Sequence, residues 1–192
     1  MSTGDRRVLL VDTAIELIAT RGLRALTHRA LDSELGLPAG SASYYFRTKR
    51  ALVEAIVARI TTRSREDFAA AEFTPTGAPN ARSIAEAIAA WLDRLLAERR
   101  AHLIARHALL VDLLDDHDLR PRLVHSLFSP DRARDLFRAM GAPDPDSRAD
   151  DFVAVVEGAV FDRFAGNRSS LRPDTPESVR QLARLLVSHL SA

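Results

Sequence analysis

The chain of 192 residues has no cysteine, one lysine, one tryptophan and two tyrosines. Without cysteine there is no disulfide framework and no thiol chemistry. Long apolar runs are missing too: none approaches the ~18 residues of a membrane helix. The stretch from Met1 to Arg7 lacks the apolar segment of a signal peptide. A cytoplasmic protein with no membrane partner is therefore expected. Net charge is also scarce, +1 at pH 7, so the total says nothing about partners. Glycine-rich phosphate loops, His-Glu-x-x-His motifs and nucleophile elbows are absent, and the six histidines are scattered. No enzyme activity, metal site or cofactor is expected. There is no internal repeat and no low-complexity tract.

Hydrophobic residues make up 46% of the chain, which is ample for a core. The charge, small in sum, is unevenly placed. Residues 1–65 hold 11 Lys+Arg against 6 Asp+Glu, and the rest hold 16 against 20. A basic head on an acidic body points to a polyanion at one end only. The lysine and both tyrosines fall in one window, Leu37-Pro38-Ala39-Gly40-Ser41-Ala42-Ser43-Tyr44-Tyr45-Phe46-Arg47-Thr48-Lys49-Arg50. Small residues, hydroxyls, phenols and cations are present there, and carboxylates are not. Such groups can approach and hydrogen-bond a phosphate backbone, so the window points to DNA.

Apolar spacing predicts an all-α protein of about nine helices. Val8, Val11, Ala14, Ile15 and Ile18 mark the first, which stops at Gly22. Thr27 is placed to cap a short second helix, with Leu26 as its staple, and Gly36 ends it. A third short helix begins near Pro38 and runs to about Phe46. Thr48 caps a fourth that continues toward Phe68. Residues 74–80 read as a linker. Further helices are expected over 81–97, 99–116, 119–140, 147–166 and 175–190, with breaks at proline- and glycine-containing stretches such as Ser129-Pro130. A DNA-binding head over 5–65 and a body over 66–192 follow.

Two short helices around a glycine-containing turn form a helix-turn-helix, whose second helix enters the major groove. Helix 28–35 would brace and helix 39–45 would read. Ala39, Gly40 and Ser41 are small enough to let backbone sit close to base edges. Lys49 adds its charge to the free amides of the next helix, where a phosphate gains from both.

With Leu26-Thr27, Leu35-Gly36-Leu37, Gly40-Ser41 and Tyr45-Phe46-x-x-Lys49 in place, the stretch from Val8 through Leu52 resembles the DNA-binding head of TetR-type transcriptional regulators. The resemblance implies a homodimeric repressor of a double-stranded DNA operator whose C-terminal body binds a small-molecule effector. It also implies phosphate contacts from Thr27 and Lys49 and base-facing positions at Arg29 and over Pro38, Ala39, Gly40 and Ser41. His28, Ser43, Tyr44 and Tyr45 complete the expected DNA-binding set. Two departures stand out. The family usually has tyrosine at Ser43 and alanine at Asp32. A carboxylate so near DNA calls for a cationic partner, and Arg29 at i−3 is the nearest in sequence.

In the body, helix 147–166 is apolar nearly all round, which implies burial on more than one side. A second copy is expected against Phe152, Val155, Gly158 and Ala159, with Leu182 and Leu186 of the last helix. The resemblance implies the same pair of helices at a dimer interface. An effector pocket lined by Trp91, Leu95, His107, Phe128, Phe137 and Phe161 is a candidate, although each fits equally well as core. His107 shares an apolar face with Leu103, Leu110, Val111 and Leu114. The acidic cluster Asp112, Asp115, Asp116, His117 and Asp118 reads as a solvated face rather than a metal site, because consecutive helical residues point different ways. A small all-α carrier or enzyme without DNA binding, and a nucleoid-type protein without sequence preference, are the other readings. The basic head separates the regulator from the first of these.

Overall fold

A computed structural model describes residues 3–71 and 80–191. Among them are ten α-helices and no strand. They are α1 (Thr3–Arg21), α2 (His28–Glu34), α3 (Ser41–Tyr45), α4 (Lys49–Ala69), α5 (Ala81–Glu98), α6 (Arg100–Asp112), α7 (Leu119–Val124), α8 (Pro130–Ala139), α9 (Pro145–Ala165) and α10 (Pro176–Leu190). A single tight turn, Leu23–Ala25, links α1 to α2. The all-α expectation stands. The expected helix 119–140 is two helices, α7 and α8. Of the expected linker, 74–79 lies outside the described residues, and Asn80 caps α5 by accepting from the Ser83 amide at 3.0 Å.

Several helices start where the sequence shows a break. Ser129-Pro130, Asp144-Pro145 and Thr175-Pro176 each place a side-chain oxygen as N-cap and a proline at the first helical position. Proline fits there because its missing N–H would have had no intrahelical partner. Breaks in the periodicity are thus helix starts, and α9 begins at Pro145, two residues before the expected boundary.

The chain forms two compact units, and the first joins Met1–Glu66 to Ala101–Ser126. Its core is built on Leu10, Ile15, Ile18, Leu31, Phe46, Leu52 and Ile56, with Leu109 and Leu123. Val8 and Val111, expected on apolar faces, are exposed, as is Leu114, and Leu10 takes the inward place on α1. Arg59 of α4 clamps Asp12 of α1 by two parallel bonds of 2.7 Å. Arg106, fully buried, donates to the Leu123 and Val124 carbonyls and the Ser126 hydroxyl, closing the C-terminal end of α7. That is where free carbonyls attract a cation.

The second unit comprises Asp67–Arg100 and Leu127–Ala192. Here α10 packs along α5, and α8 along α9. The buried stripe of α5 (Ile88, Leu92, Leu95, Leu96) faces that of α10 (Leu182, Leu186, Leu190). Asp93 is buried on α5 and accepts from the Ser178 hydroxyl and from the Asp174 amide at 2.9 Å.

Candidate nucleic-acid interface

The first helical pair is set by its caps. Thr27 Oγ1 accepts from the Ala30 amide at 3.0 Å and opens α2. At the other end Gly36 adopts φ +60, the left-handed region that favours glycine. The Leu37 amide then reaches back to the Asp32 carbonyl at 2.8 Å and the Gly36 amide to the Ser33 carbonyl at 3.3 Å. This is a Schellman closure, and it turns the chain sharply toward Pro38.

Asp32 fixes the start of the next helix. Its side chain is 4% exposed, and its two carboxylate oxygens accept from the Gly40 amide at 2.8 Å and the Ala42 amide at 2.7 Å. These are free amides at the start of α3, which attract a carboxylate. The expected pairing with Arg29 is not formed: Arg29 is exposed and makes no ion pair among the described residues. The carboxylate is therefore turned inward, and its charge is taken up by backbone. Gly40 itself, at φ +92, caps α3.

The outer surface of α3 is small and polar. Thr27, Arg29, Pro38, Ala39, Gly40, Ser43, Tyr44 and Lys49 are exposed, and His28, Ser41 and Tyr45 are half-buried. Ser41 Oγ donates to the Pro38 carbonyl at 2.6 Å and Ser43 Oγ to the Gly40 carbonyl at 2.8 Å, so both hydroxyls keep lone pairs outward. Tyr44 stands 76% exposed and edge-on to Tyr45, ring centres 5.2 Å apart. Phe46 is buried beneath them, and the Arg7 guanidinium lies over its ring at 4.5 Å. Arg7 also donates to the Tyr45 carbonyl at 2.7 Å, closing the C-terminal end of α3. Arg7 was not among the expected residues, and nothing in its local sequence separates it from Arg6. Thr48 Oγ1 accepts from the Ala51 amide at 3.0 Å, so Lys49 is the first residue of α4. Its ammonium has no ion pair among the described residues, whereas Arg50 beside it is held by Glu54 and Asp116. Those hydrogen bonds, Glu54 first, raise the Arg50 pKa. Asp116 is held below the usual carboxylate range, first by the Leu119 amide and then by Arg50. The acidic cluster is thus in part a helix cap, and no group of three or more potential metal-ligating side chains occurs among the described residues.

In the second unit the expected pocket residues divide. Trp91 and Phe128 meet edge-on at 6.0 Å, and Phe68 joins both. Phe152 bridges Phe128 and Phe137 at 5.6 and 5.8 Å. Leu95 is buried in the same unit. Phe161 does not belong: it is 48% exposed and pairs with Phe164. His107 lies in the first unit, where its Nδ1 contacts the Leu103 carbonyl one turn back at 2.8 Å. The expected interface set divides likewise. Phe152, Leu182 and Leu186 are fully buried by their own chain, which removes them from any outer surface, and Ala159 is nearly so. Val155 is half-buried, and Gly158 is exposed with open space where a Cβ would stand.

Residues 10–56 match a family described as bacterial regulatory proteins, tetR family, and residues 79–189 match the tetracyclin repressor-like C-terminal domain. Solved structures that share the fold include the following three. A transcriptional regulator from Rhodococcus sp. Rha1 is 15% identical, with TM-score 0.72 over 96% of this chain and 95% of its own. A TetR-family regulator from Rhodococcus sp. is 21% identical, with TM-score 0.68 over 98% and 100%. The multidrug binding protein EbrR, complexed with ethidium, is 23% identical, with TM-score 0.62 over 94% and 98%. A comparison with curated proteins finds no match. No helix among the described residues is long and apolar enough to cross a membrane. With both family profiles matched in order and the second covering more than half of the sequence, the chain belongs to the TetR family of regulators.

Proposed function

We propose that this regulator is a repressor that binds a pseudo-palindromic operator as a homodimer and leaves it when a small effector enters the C-terminal unit. The observation that carries this reading is the placement of Asp32. Its carboxylate is taken up by the first turn of α3, so the exposed surface over residues 38–50 keeps its small residues, phenols and cations with no exposed acid among them. In this reading Lys49, Thr27 and Tyr44 meet phosphates, while Arg29 and residues 38–41 face base edges.

The aromatic group of Phe68, Trp91, Phe128, Phe137 and Phe152 supports an effector with a flat or apolar body. EbrR, similar in fold, is known in complex with ethidium. Helix α4 carries Lys49 in its first turn and Phe68 in its last, so one element bears a phosphate contact and a member of the aromatic group. An effector must favour one arrangement of the paired heads over another to release DNA.

The test is titration with a duplex from the DNA flanking the protein's own coding region and with a random duplex, at several salt concentrations. The repressor reading expects tight binding to the first, and log K falling linearly with log salt for both. Equal affinity for the two would favour binding without sequence preference. No binding to either would favour a carrier.

A further inference from the structure

The second unit contains a buried cation with spare bonding capacity. Arg163 of α9 is 2% exposed. Its Nη2 donates to the Leu171 carbonyl at 2.8 Å. Its Nε and Nη1 are buried and have no hydrogen-bond partner among the described residues. A guanidinium offers five N–H donors, and leaving two of its nitrogens buried without an acceptor is costly.

The carboxylates around it are already committed. Asp93 takes the Ser178 hydroxyl and the Asp174 amide, and Asp162 takes Arg168 at 2.8 Å. Arg100, which donates to the Arg163 carbonyl at 3.4 Å, adds a further positive charge nearby. Burial pulls the Arg163 pKa down; Asp93 and Asp162 oppose it, and Arg168 and Arg100 add to it. Asp93 and Asp162 thus offset part of the Arg163 charge without bonding it, and its Nε and Nη1 are left for an acceptor.

Arg163 also ends an apolar track. On α9 it lies on the same face as Phe152, Val156 and Val160, all fully buried, and that track starts at the Phe128 and Phe137 rings. Nη2 has a second hydrogen beyond the one given to Leu171. A carboxylate can therefore take Nε and Nη2 side-on, or Nη1 and Nη2 end-on, the planar match that favours arginine. The spare donors are closed to solvent, so an acid must displace what covers them; Leu171, which bonds Nη2, lies in the irregular segment 166–174.

We propose that Arg163 anchors the carboxylate of a small organic acid whose apolar body lies along α9 toward the aromatic group. This rests on the reading that the C-terminal unit takes the effector, and it sets the ligand class apart from the cationic dye seen with EbrR.

The test uses the full chain, sodium benzoate and sodium octanoate as probes, and benzamide and octanamide as uncharged counterparts. Calorimetric titration and thermal unfolding are run on the wild type, Arg163→Met and Arg163→Lys. The acids should raise the wild-type Tm more than the amides do. Arg163→Met should bind the acids about tenfold more weakly or worse, as for loss of a charged hydrogen bond. Its own Tm without probe should differ little from that of the wild type, since two unbonded donors go together with the one bond to Leu171. Arg163→Lys should bind the acids between the two.

The proposal is overturned if neither acid outperforms its amide on the wild type. It is also overturned if Arg163→Met lowers the Tm and Arg163→Lys restores it, the mark of a purely structural cation. Operator binding separates this from the broader reading. Acids that bind at Arg163 without weakening operator binding keep the anion site and remove the acid as effector. Ethidium releasing the operator while acids fail to bind removes the anion site and keeps the regulator.

Discussion

Asp32 and Lys49 act on the same short stretch from opposite sides, one buried and one exposed. Replacing Asp32 by alanine leaves the Gly40 and Ala42 amides without their acceptor. An unsatisfied buried donor costs about 1–3 kcal/mol, so Asp32→Ala should lower unfolding stability by that order and weaken operator binding as α3 loses its anchor. Urea denaturation and a binding isotherm check both; wild-type stability in the variant would show that water replaces the carboxylate freely. Lys49→Ala should instead leave stability unchanged. It should weaken binding to all sequences alike and flatten the salt slope by about one, as for one lost phosphate contact. Loss confined to one operator variant would make Lys49 a base reader. Arg29 makes no bond to Asp32, so Arg29→Ala should also spare stability. It should relax specificity at one base position by about 1–3 kcal/mol, measured over a set of single-base operator variants.

At the scale of elements, the turn between α2 and α3 is where a backbone substitution is most informative. At Gly36 a Cβ would meet no neighbour within 4 Å, so only the φ of +60 resists substitution. Gly36→Ala should cost about 1–2 kcal/mol from that conformation alone. The loss should show in denaturant midpoint with an unchanged slope. This turn was legible in the sequence, as were the Gly22 stop and the Thr27 cap, because each depends on residues within one helical turn. The role of Asp32 was not. Its two acceptor contacts lie eight and ten residues ahead, and only the Gly36 closure brings them within reach. The nearest cation in sequence, Arg29, was therefore a misleading partner. On α9 the difficulty was different. Phe152 and Phe161 are nine residues apart, which at 100° per residue puts them on opposite faces. In a helix apolar all round, periodicity cannot tell which face meets the protomer's own core. The aromatic contacts settle it: Phe152 faces in and Phe161 faces out.

For the whole molecule, that outward face is where the proposed homodimer would close. Ala154, Gly158, Phe161 and Ala165 share one exposed side of α9, and Leu185 of α10 is half-buried. Within the protomer a Cβ at Gly158 would meet nothing within 4 Å, so no intrachain packing requires a glycine there. Glycine inside a helix costs about 1 kcal/mol relative to alanine, which makes its use informative: close approach by a second copy is the packing it would permit. Two half-sites one helical turn of DNA apart, about 34 Å, can be read together only by a dimer that fixes that spacing. Gly158→Leu should therefore lower dimer affinity and operator affinity together, while the helical content of each subunit holds or rises. Sedimentation, circular dichroism and the operator isotherm are read on one preparation. Binding to a single half-site should be nearly unchanged, because the contacts of α3 are untouched. A Gly158→Leu protein that remains dimeric with wild-type operator affinity would falsify the placement of the interface on this face of α9.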